Sequence, residues 1–363
     1  MIKDINYWDL DIIAENIING QKLTDDNLRE LLSLTEEEDI EKLQYVARKV
    51  KERYFGNRVF LYSFVYFSTH CKNNCAFCYY NRCNEIQRYR LDLEEIRSIA
   101  RAIKNETIHM VDLTMGEDPY FHNNPEKFVD VVKAVKEETG LPIMISPGVM
   151  DDRTLSRLHE SGANFLALYQ ETHDEELYRK LRVGQSFDER NHAREFARTN
   201  GYCVEDGILT GVGNDIESTI ISLRGMQKGN PDMVRVMTFV PQEGTPLELV
   251  TQQSSLAELK IISVLRLMFP DKLIPASLDL EGIDGMVDRL NAGANVVTSI
   301  ISADSSLEGV VNYDRELEER DRDSKSVIKR LKSMGMEPAS QAEFNRILEK
   351  QHVTPVRIPV AAL

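Results

Sequence analysis

The sequence predicts an α/β fold, a complete (β/α)8 barrel of the TIM type behind an N-terminal helical leader. From Arg58 onward, short β-branched apolar runs alternate with charged amphipathic stretches. One strand-length run falls between each pair of helical stretches, which is the pattern of parallel βα units. The unit recurs about eight times, and eight such units close naturally into a barrel. An open doubly wound sheet is the alternative arrangement of the same units.

The leader comprises residues 1–55. Apolar positions in DLDIIAENIING recur at helical spacing up to Gly20, a C-cap candidate. Two further helices follow, Thr24 to Leu34 and Glu36 to Tyr54. Thr24-Asp25-Asp26 and Thr35-Glu36-Glu37-Glu38 are N-terminal signals, with acids where the helix dipole favours them. Strands are expected at 58–67, 108–114, 142–146, 164–169, 202–210, 233–239, 273–277 and 295–299. Helices are expected at 92–105, 124–139, 151–161, 174–199 with a break near Gly184, 215–228, 255–268, 282–292 and near 317–334. The domain division is then 1–55 leader, 56–340 barrel and 341–363 C-terminal extension. The last stretch, HVTPVRIPVAAL, has two prolines and no periodicity, so it is expected to be irregular.

The chain of 363 residues has 44 Lys and Arg against 59 Asp and Glu, a net charge of −15. This balance repels phosphate and argues against nucleic-acid or anionic-membrane partners. The hydrophobic fraction of 42% is that of a globular chain, and no apolar run approaches a membrane span. The N-terminus MIKDINYWDL lacks the basic and apolar regions of a signal peptide, so a cytoplasmic, monomeric protein is expected.

Four of the five cysteines, Cys71, Cys75, Cys78 and Cys83, lie within thirteen residues, and Cys203 stands alone. An odd number, clustered, is not a disulfide framework and reads as metal binding. Cys71, Cys75 and Cys78 have the spacing C-x3-C-x2-C directly after the first barrel strand. Three thiolates can hold three irons of a [4Fe–4S] cube and leave the fourth open to a ligand. Cys83 as a fourth ligand would instead close the cluster for electron transfer. A Cys3His zinc site with His70 is the other alternative, although adjacent His70 and Cys71 are poorly placed to share one metal.

The stretch Cys71-Lys72-Asn73-Asn74-Cys75-Ala76-Phe77-Cys78, with an aromatic before its last cysteine, resembles the radical S-adenosylmethionine superfamily. The resemblance implies a barrel of that type, one cluster, and S-adenosylmethionine chelated at the open iron. Phe77 and Tyr79 would then shape the adenine pocket. Thr114-Met115-Gly116-Glu117-Asp118 is similar to the turn that meets the methionine amino group, although alone it could be an ordinary βα turn. Ser146, ending the third strand, is assigned to the cofactor as well. Glu171 ends the fourth unit and could accept from the ribose hydroxyls. Leu181 to Arg190 (LRVGQSFDER) resembles the biotin-synthase and hydrogenase-maturase branch, in which Arg182 and Arg190 would grip the cofactor's carboxylate side. Gly211-Val212-Gly213-Asn214-Asp215 is similar to that branch's glycine turn, with Gly213 at the adenine, and Asn214-Asp215 also reads as a helix N-cap.

The substrate should lie inside the barrel, where strand alternation picks out candidates. Asp112 interrupts the apolar run IHMVDLT and Arg235 interrupts MVRVMTF. Ser277 and Asp279, two apart, share one face at a strand end. Charges in a core strand are costly unless paired, so an internal Asp112–Arg235 or Asp279–Arg235 salt bridge is one reading. The other counts two carboxylates and one guanidinium as the complement of a diamino acid. Long stretches, among them DLTMGEDPY, ALYQETHDEELYRKLRVGQSF and IPASLDLEGIDGMVDRLNAGANVVTSI, resemble the lysine carbon-skeleton mutases of pyrrolysine biosynthesis. That resemblance implies isomerisation of L-lysine to (3R)-3-methyl-D-ornithine, through fragmentation to a glycyl radical and recombination. It also implies an electron donor such as a flavodoxin or ferredoxin. Only Cys83 and Cys203 remain for the second cluster that sulfur insertion needs, and no lysine stands at a strand end for a pyridoxal Schiff base. Another maturase-branch enzyme, acting on a different small amine or sulfur compound, and a non-catalytic electron carrier are the rival readings.

Overall fold

The computed structural model describes residues 1–301 and 322–352. Its strands are β1 (Arg58–Ser68), β2 (Met110–Met115), β3 (Ile143–Ser146), β4 (Ala163–Ala167), β5 (Cys203–Thr210), β6 (Met233–Thr238), β7 (Pro275–Ser277) and β8 (Val296–Ile300). They lie in the order β6-β5-β4-β3-β2-β1-β8-β7, and every ladder is parallel. The ring is joined between β6 and β7 by a single bridge, Met233 to Leu273. There Val234 N donates to Leu273 O at 2.9 Å and Leu273 N to Asp232 O at 3.1 Å. The nearly closed barrel replaces the open-sheet alternative, and the expected strands agree with it to within two residues at each end.

The leader forms α1 (Tyr7–Ile18), α2 (Asp25–Leu32) and α3 (Glu37–Phe55). Thr24 closes a capping box with Asn27, which accounts for the start of α2. Thr35 does not cap α3: Glu36 holds that position and makes no side-chain cap bond. The leader is pinned to the barrel by Lys260, whose ammonium donates to Leu32 O at 3.0 Å and Leu34 O at 2.8 Å. The stretch 174–199 divides, as its glycine implies, into helices Glu175–Leu181 and Phe187–Thr199. Of the helix expected near 317–334, Ser324–Ser333 is observed, and 317–321 lie outside the described residues. No helix among the described residues is long and apolar enough to cross a membrane.

Inside the barrel, each step of two residues along a strand keeps the side chain inward. The inward residues change from apolar to polar on the way up. Met110 is followed by Asp112 and Thr114, Cys203 by Glu205, Met233 by Arg235, and Met144 by Ser146. The floor is therefore apolar and the upper half polar.

The extension expected from residue 341 begins with a helix packed on the barrel. Strand β9 (Glu337–Pro338) pairs with the start of β1, and a helix follows at Gln341–His352. Phe344 and Leu348 from that helix are buried against Phe60, Met110, Phe165 and Leu273 at the barrel floor. Phe344, Ile347 and Leu348 stand at i, i+3 and i+4, a helical signal that the unpatterned prolines further on obscure. The irregular stretch expected at 352–363 lies, after His352, outside the described residues.

Candidate active site

The loop after β1 carries the three cysteines across the top of the barrel. One guanidinium fastens it: Arg88 donates to Thr69 O at 2.7 Å, Tyr80 O at 3.1 Å, Asn81 O at 2.7 Å and Asn84 O at 3.2 Å. Lys72 N donates to Glu117 O at 3.0 Å, and Ala76 N to Leu181 O at 2.8 Å. Cys75 is buried, Cys71 and Cys78 are half-buried, and Cys83 is exposed. Cys203 lies at the barrel floor. Burial first, then the neighbouring thiols, pushes the Cys78 thiol up to about 12.

N–H donors are aimed at the sulfurs. Asn73 N points at Cys71 Sγ at 3.4 Å, while Gln185 Nε2 and Arg182 Nη1 point at Cys75 Sγ at 3.0 and 3.7 Å. Such donors suit thiolates bound to iron. Among the described residues no three His, Cys, Asp or Glu side chains gather about one ion. Three thiolates with such donors fit a cluster, in which each thiolate holds a different iron.

A ring of charge surrounds the loop. Glu171 sits at φ +68°. Its backbone is held by Gly207 O at 2.9 Å and Leu209 N at 2.8 Å. One of its carboxylate oxygens takes Arg182 Nη2 at 2.5 Å. Glu171 Oε2, Arg182 Nε and Arg190 Nε are buried and have no hydrogen-bond partner among the described residues. Three such atoms in one neighbourhood fit a polar ligand that completes them. Burial, then the Arg182 charge, pulls the Arg190 guanidinium down to about 10, still cationic at neutral pH and available to an anion. Glu117 lies 3.7 Å from Arg190 and 3.4 Å from Lys72. Burial pushes Glu117 up, but these cations outweigh it and hold the carboxyl below its usual value. Gly148 leaves room for this carboxylate, since a Cβ there would collide with the Glu117 side chain. Gly116 is equally tight, its missing Cβ facing His70 O and Cys71 Cβ.

Beneath lies a cavity of about 380 Å3, lined by Phe77, Cys78, Tyr79 and Glu171 above and by Asp112, Arg235, Ser277 and Asp279 below. All four substrate candidates thus meet in one space. Ser146, expected at the cofactor, donates to Asp112 Oδ1 at 2.8 Å and so serves the lower group. Gly213 does not line the cavity; its neighbour Val212 is packed with Leu181, Leu209 and Phe239.

The expected Asp112–Arg235 and Asp279–Arg235 salt bridges are not present among the described residues. Arg235 pairs instead with Glu205, Nε to Oε1 at 2.7 Å, and its other arm reaches the Tyr62 hydroxyl. Tyr169 donates to the second Glu205 oxygen at 3.0 Å and lies under the guanidinium. Asp279 pairs with Arg322 at 3.2 Å and accepts from Ser277 at 2.8 Å and from Ser299 at 2.6 Å. Sequence reasoning did not identify Tyr62, Tyr169, Glu205, Ser299, Arg322 or Gln185. Glu205 obeys the rule that exposed Asp112 and Arg235, a charge interrupting an apolar strand. Its neighbour Asp206 masks which of the two acids faces inward.

Residues 65–222 match the radical SAM superfamily model. The chain is 68% identical to the 3-methylornithine synthase of Methanosarcina acetivorans over 96% of its own length and 99% of that protein. A crystal structure of methylornithine synthase (PylB) superposes with a TM-score of 0.89, at 68% identity over 92% of this chain and 99% of that one. The [FeFe] hydrogenase maturase subunit HydE of Thermotoga maritima is 30% identical over 77% of the chain and 81% of the relative.

Proposed function

The chain belongs to the 3-methylornithine synthases of the radical S-adenosylmethionine superfamily, and on that premise we propose that it isomerises L-lysine to (3R)-3-methyl-D-ornithine in pyrrolysine biosynthesis. The [4Fe–4S] cluster and S-adenosylmethionine of this superfamily supply, when bound, one electron and a 5′-deoxyadenosyl radical that can take a hydrogen atom from an unactivated carbon.

Cys71, Cys75 and Cys78 are the residues to hold the cluster. Replacing any one by Ala is expected to lower iron per chain and remove the low-temperature EPR signal of the reduced state, whereas Cys83→Ala retains both. Glu171, Arg182, Arg190, Glu117 and the Gly116 backbone are the residues to hold the cofactor, with Phe77 and Tyr79 against its rings. The unpartnered Nε of Arg182 and Oε2 of Glu171 support this assignment. Arg182→Ala removes a charged hydrogen bond of roughly 1.5–3 kcal/mol. S-adenosylmethionine affinity should fall about tenfold to 150-fold by calorimetry, since 1.4 kcal/mol is one decade. Unchanged affinity would refute the role.

The charge of the lower cavity carries the substrate reading. Among the described residues Asp112, Glu205, Glu258 and Asp279 face Arg235, Arg289 and Arg322, four carboxylates to three guanidiniums, a net charge of −1. Lysine, with two ammonium groups and one carboxylate, is the opposite monocation. Arg235 orients its carboxylate, and Asp112 and Asp279 take the ammonium groups, with Ser277 holding Asp279. Aromatic walls, Tyr62, Phe64, Tyr66 and Tyr169, exclude water from the reacting carbons. Anaerobic reconstitution with lysine, S-adenosylmethionine and a low-potential one-electron donor tests the proposal. The expected product has the mass of lysine and the NMR spectrum of a branched diamino acid. Cleavage of S-adenosylmethionine with lysine unchanged would point to the rival maturase-type chemistry.

A further inference from the structure

The turn Arg182–Gln185 joins the helix Glu175–Leu181 to Phe187–Thr199. Gln185 N donates to Arg182 O at 3.0 Å, closing the turn, and Gly184 takes φ +75° within it. The fold brings the Gln185 side chain back beneath the cysteine loop. Its amide nitrogen lies 3.0 Å from Cys75 Sγ. Its amide oxygen accepts from Arg182 Nη1 at 3.4 Å and from Arg190 Nη2 at 3.1 Å. The two guanidiniums fix the orientation of the amide. A flip would set its NH2 against two cations and its carbonyl against a thiolate. The amide is therefore oriented to present an N–H to Cys75.

We propose that Gln185, locked by Arg182 and Arg190, is a positioning residue that raises the reduction potential of the cluster through its hydrogen bond to Cys75. The inference rests on Cys75 being a cluster ligand. Reduction adds one electron, and much of the added charge falls on the sulfurs. A donor at a sulfur stabilises the reduced form more than the oxidised one, so the potential rises. The same two arginines face the cofactor's place, so they couple the cofactor site to the sulfur through a single amide.

The test is an anaerobic EPR-monitored redox titration of the reconstituted protein, without lysine or S-adenosylmethionine. Gln185→Leu removes the donor. Gln185→Glu keeps the size of the side chain and its acceptor for both arginines, but presents no N–H to the sulfur. Both midpoints are expected to fall, by about tenfold in the reduction equilibrium or about 59 mV for one electron, with iron content retained. The fall should be larger for Glu, because it adds negative charge. An unchanged midpoint in Gln185→Glu, or loss of the cluster from both variants, would overturn the proposal. Cys75→Ala separates this from the ligand assignment: an intact cluster there refutes the ligand role itself, whatever Gln185 does.

Discussion

Asp112→Asn is expected to abolish lysine turnover while leaving iron content and slow S-adenosylmethionine cleavage in place. Asp112 has no cationic partner within ion-pair distance among the described residues, and Ser146 donates to it at 2.8 Å, with Thr114 beside it. Burial pushes its carboxyl up from 3.8 to about 6, only partly offset by Ser146. A raised carboxyl stabilises the fold while protonated, below the unfolded value, and that stability is lost as pH rises through about 6. A shift of this size corresponds to about 3 kcal/mol. Asn carries no such charge, so the variant should melt no lower than wild type at pH 8, and the difference should shrink towards pH 4. A lysine ammonium reverses the balance by favouring the carboxylate. Lysine affinity should therefore rise as pH rises through about 6, with a proton released on binding below that point. Calorimetry in buffers of different ionisation enthalpy reads this directly. A variant that unfolds, or that turns over lysine normally, excludes the assignment.

Glu205→Gln should act in the opposite way, on stability first. Glu205 is fully buried and holds Arg235 at 2.7 Å. Removing one partner of a buried pair leaves the other charge without compensation, at a cost of about 3–5 kcal/mol. The loss should appear as a lower melting temperature and a lower denaturant midpoint. The double variant Glu205→Gln with Arg235→Met replaces the stranded charge by an apolar side chain. It should recover most of the stability and none of the lysine binding. If the single variant is as stable as wild type, the pair contributes nothing to the fold; if the double variant binds lysine, Arg235 does not hold the carboxylate.

These two residues also show how far the sequence could be read. Asp112 and Arg235 were legible because a charge in an otherwise apolar strand is rare and its face follows from alternation. Their pairing was not. Which acid meets which guanidinium depends on the register between neighbouring strands, and Glu205 lies two residues below Gly207, the register partner of Arg235. Arg322 lies beyond β8 in sequence, outside any strand, so no strand pattern points to it. The cysteine spacing was legible for a chemical reason, since three irons need three thiolates at short range. The donors to those sulfurs were not, because Gln185 reaches Cys75 across 110 residues of chain.

The helix Gln341–His352 places a constraint on the order of assembly. Strand β9 joins Arg58 to Glu337 and Val59 to Pro338, across almost the whole described chain. Phe344 packs on Phe60 and beside His109, both near the start of the barrel. During synthesis Phe60, Met110 and Phe165, the first part of the apolar floor, are thus made long before their cover exists. Contacts of such sequence separation form slowly, because loop closure must precede the reward. A nascent barrel without this helix exposes a greasy underside, the kind of surface that chaperones engage and that promotes aggregation. The last helix of the described chain is in this sense the seal of the first strand.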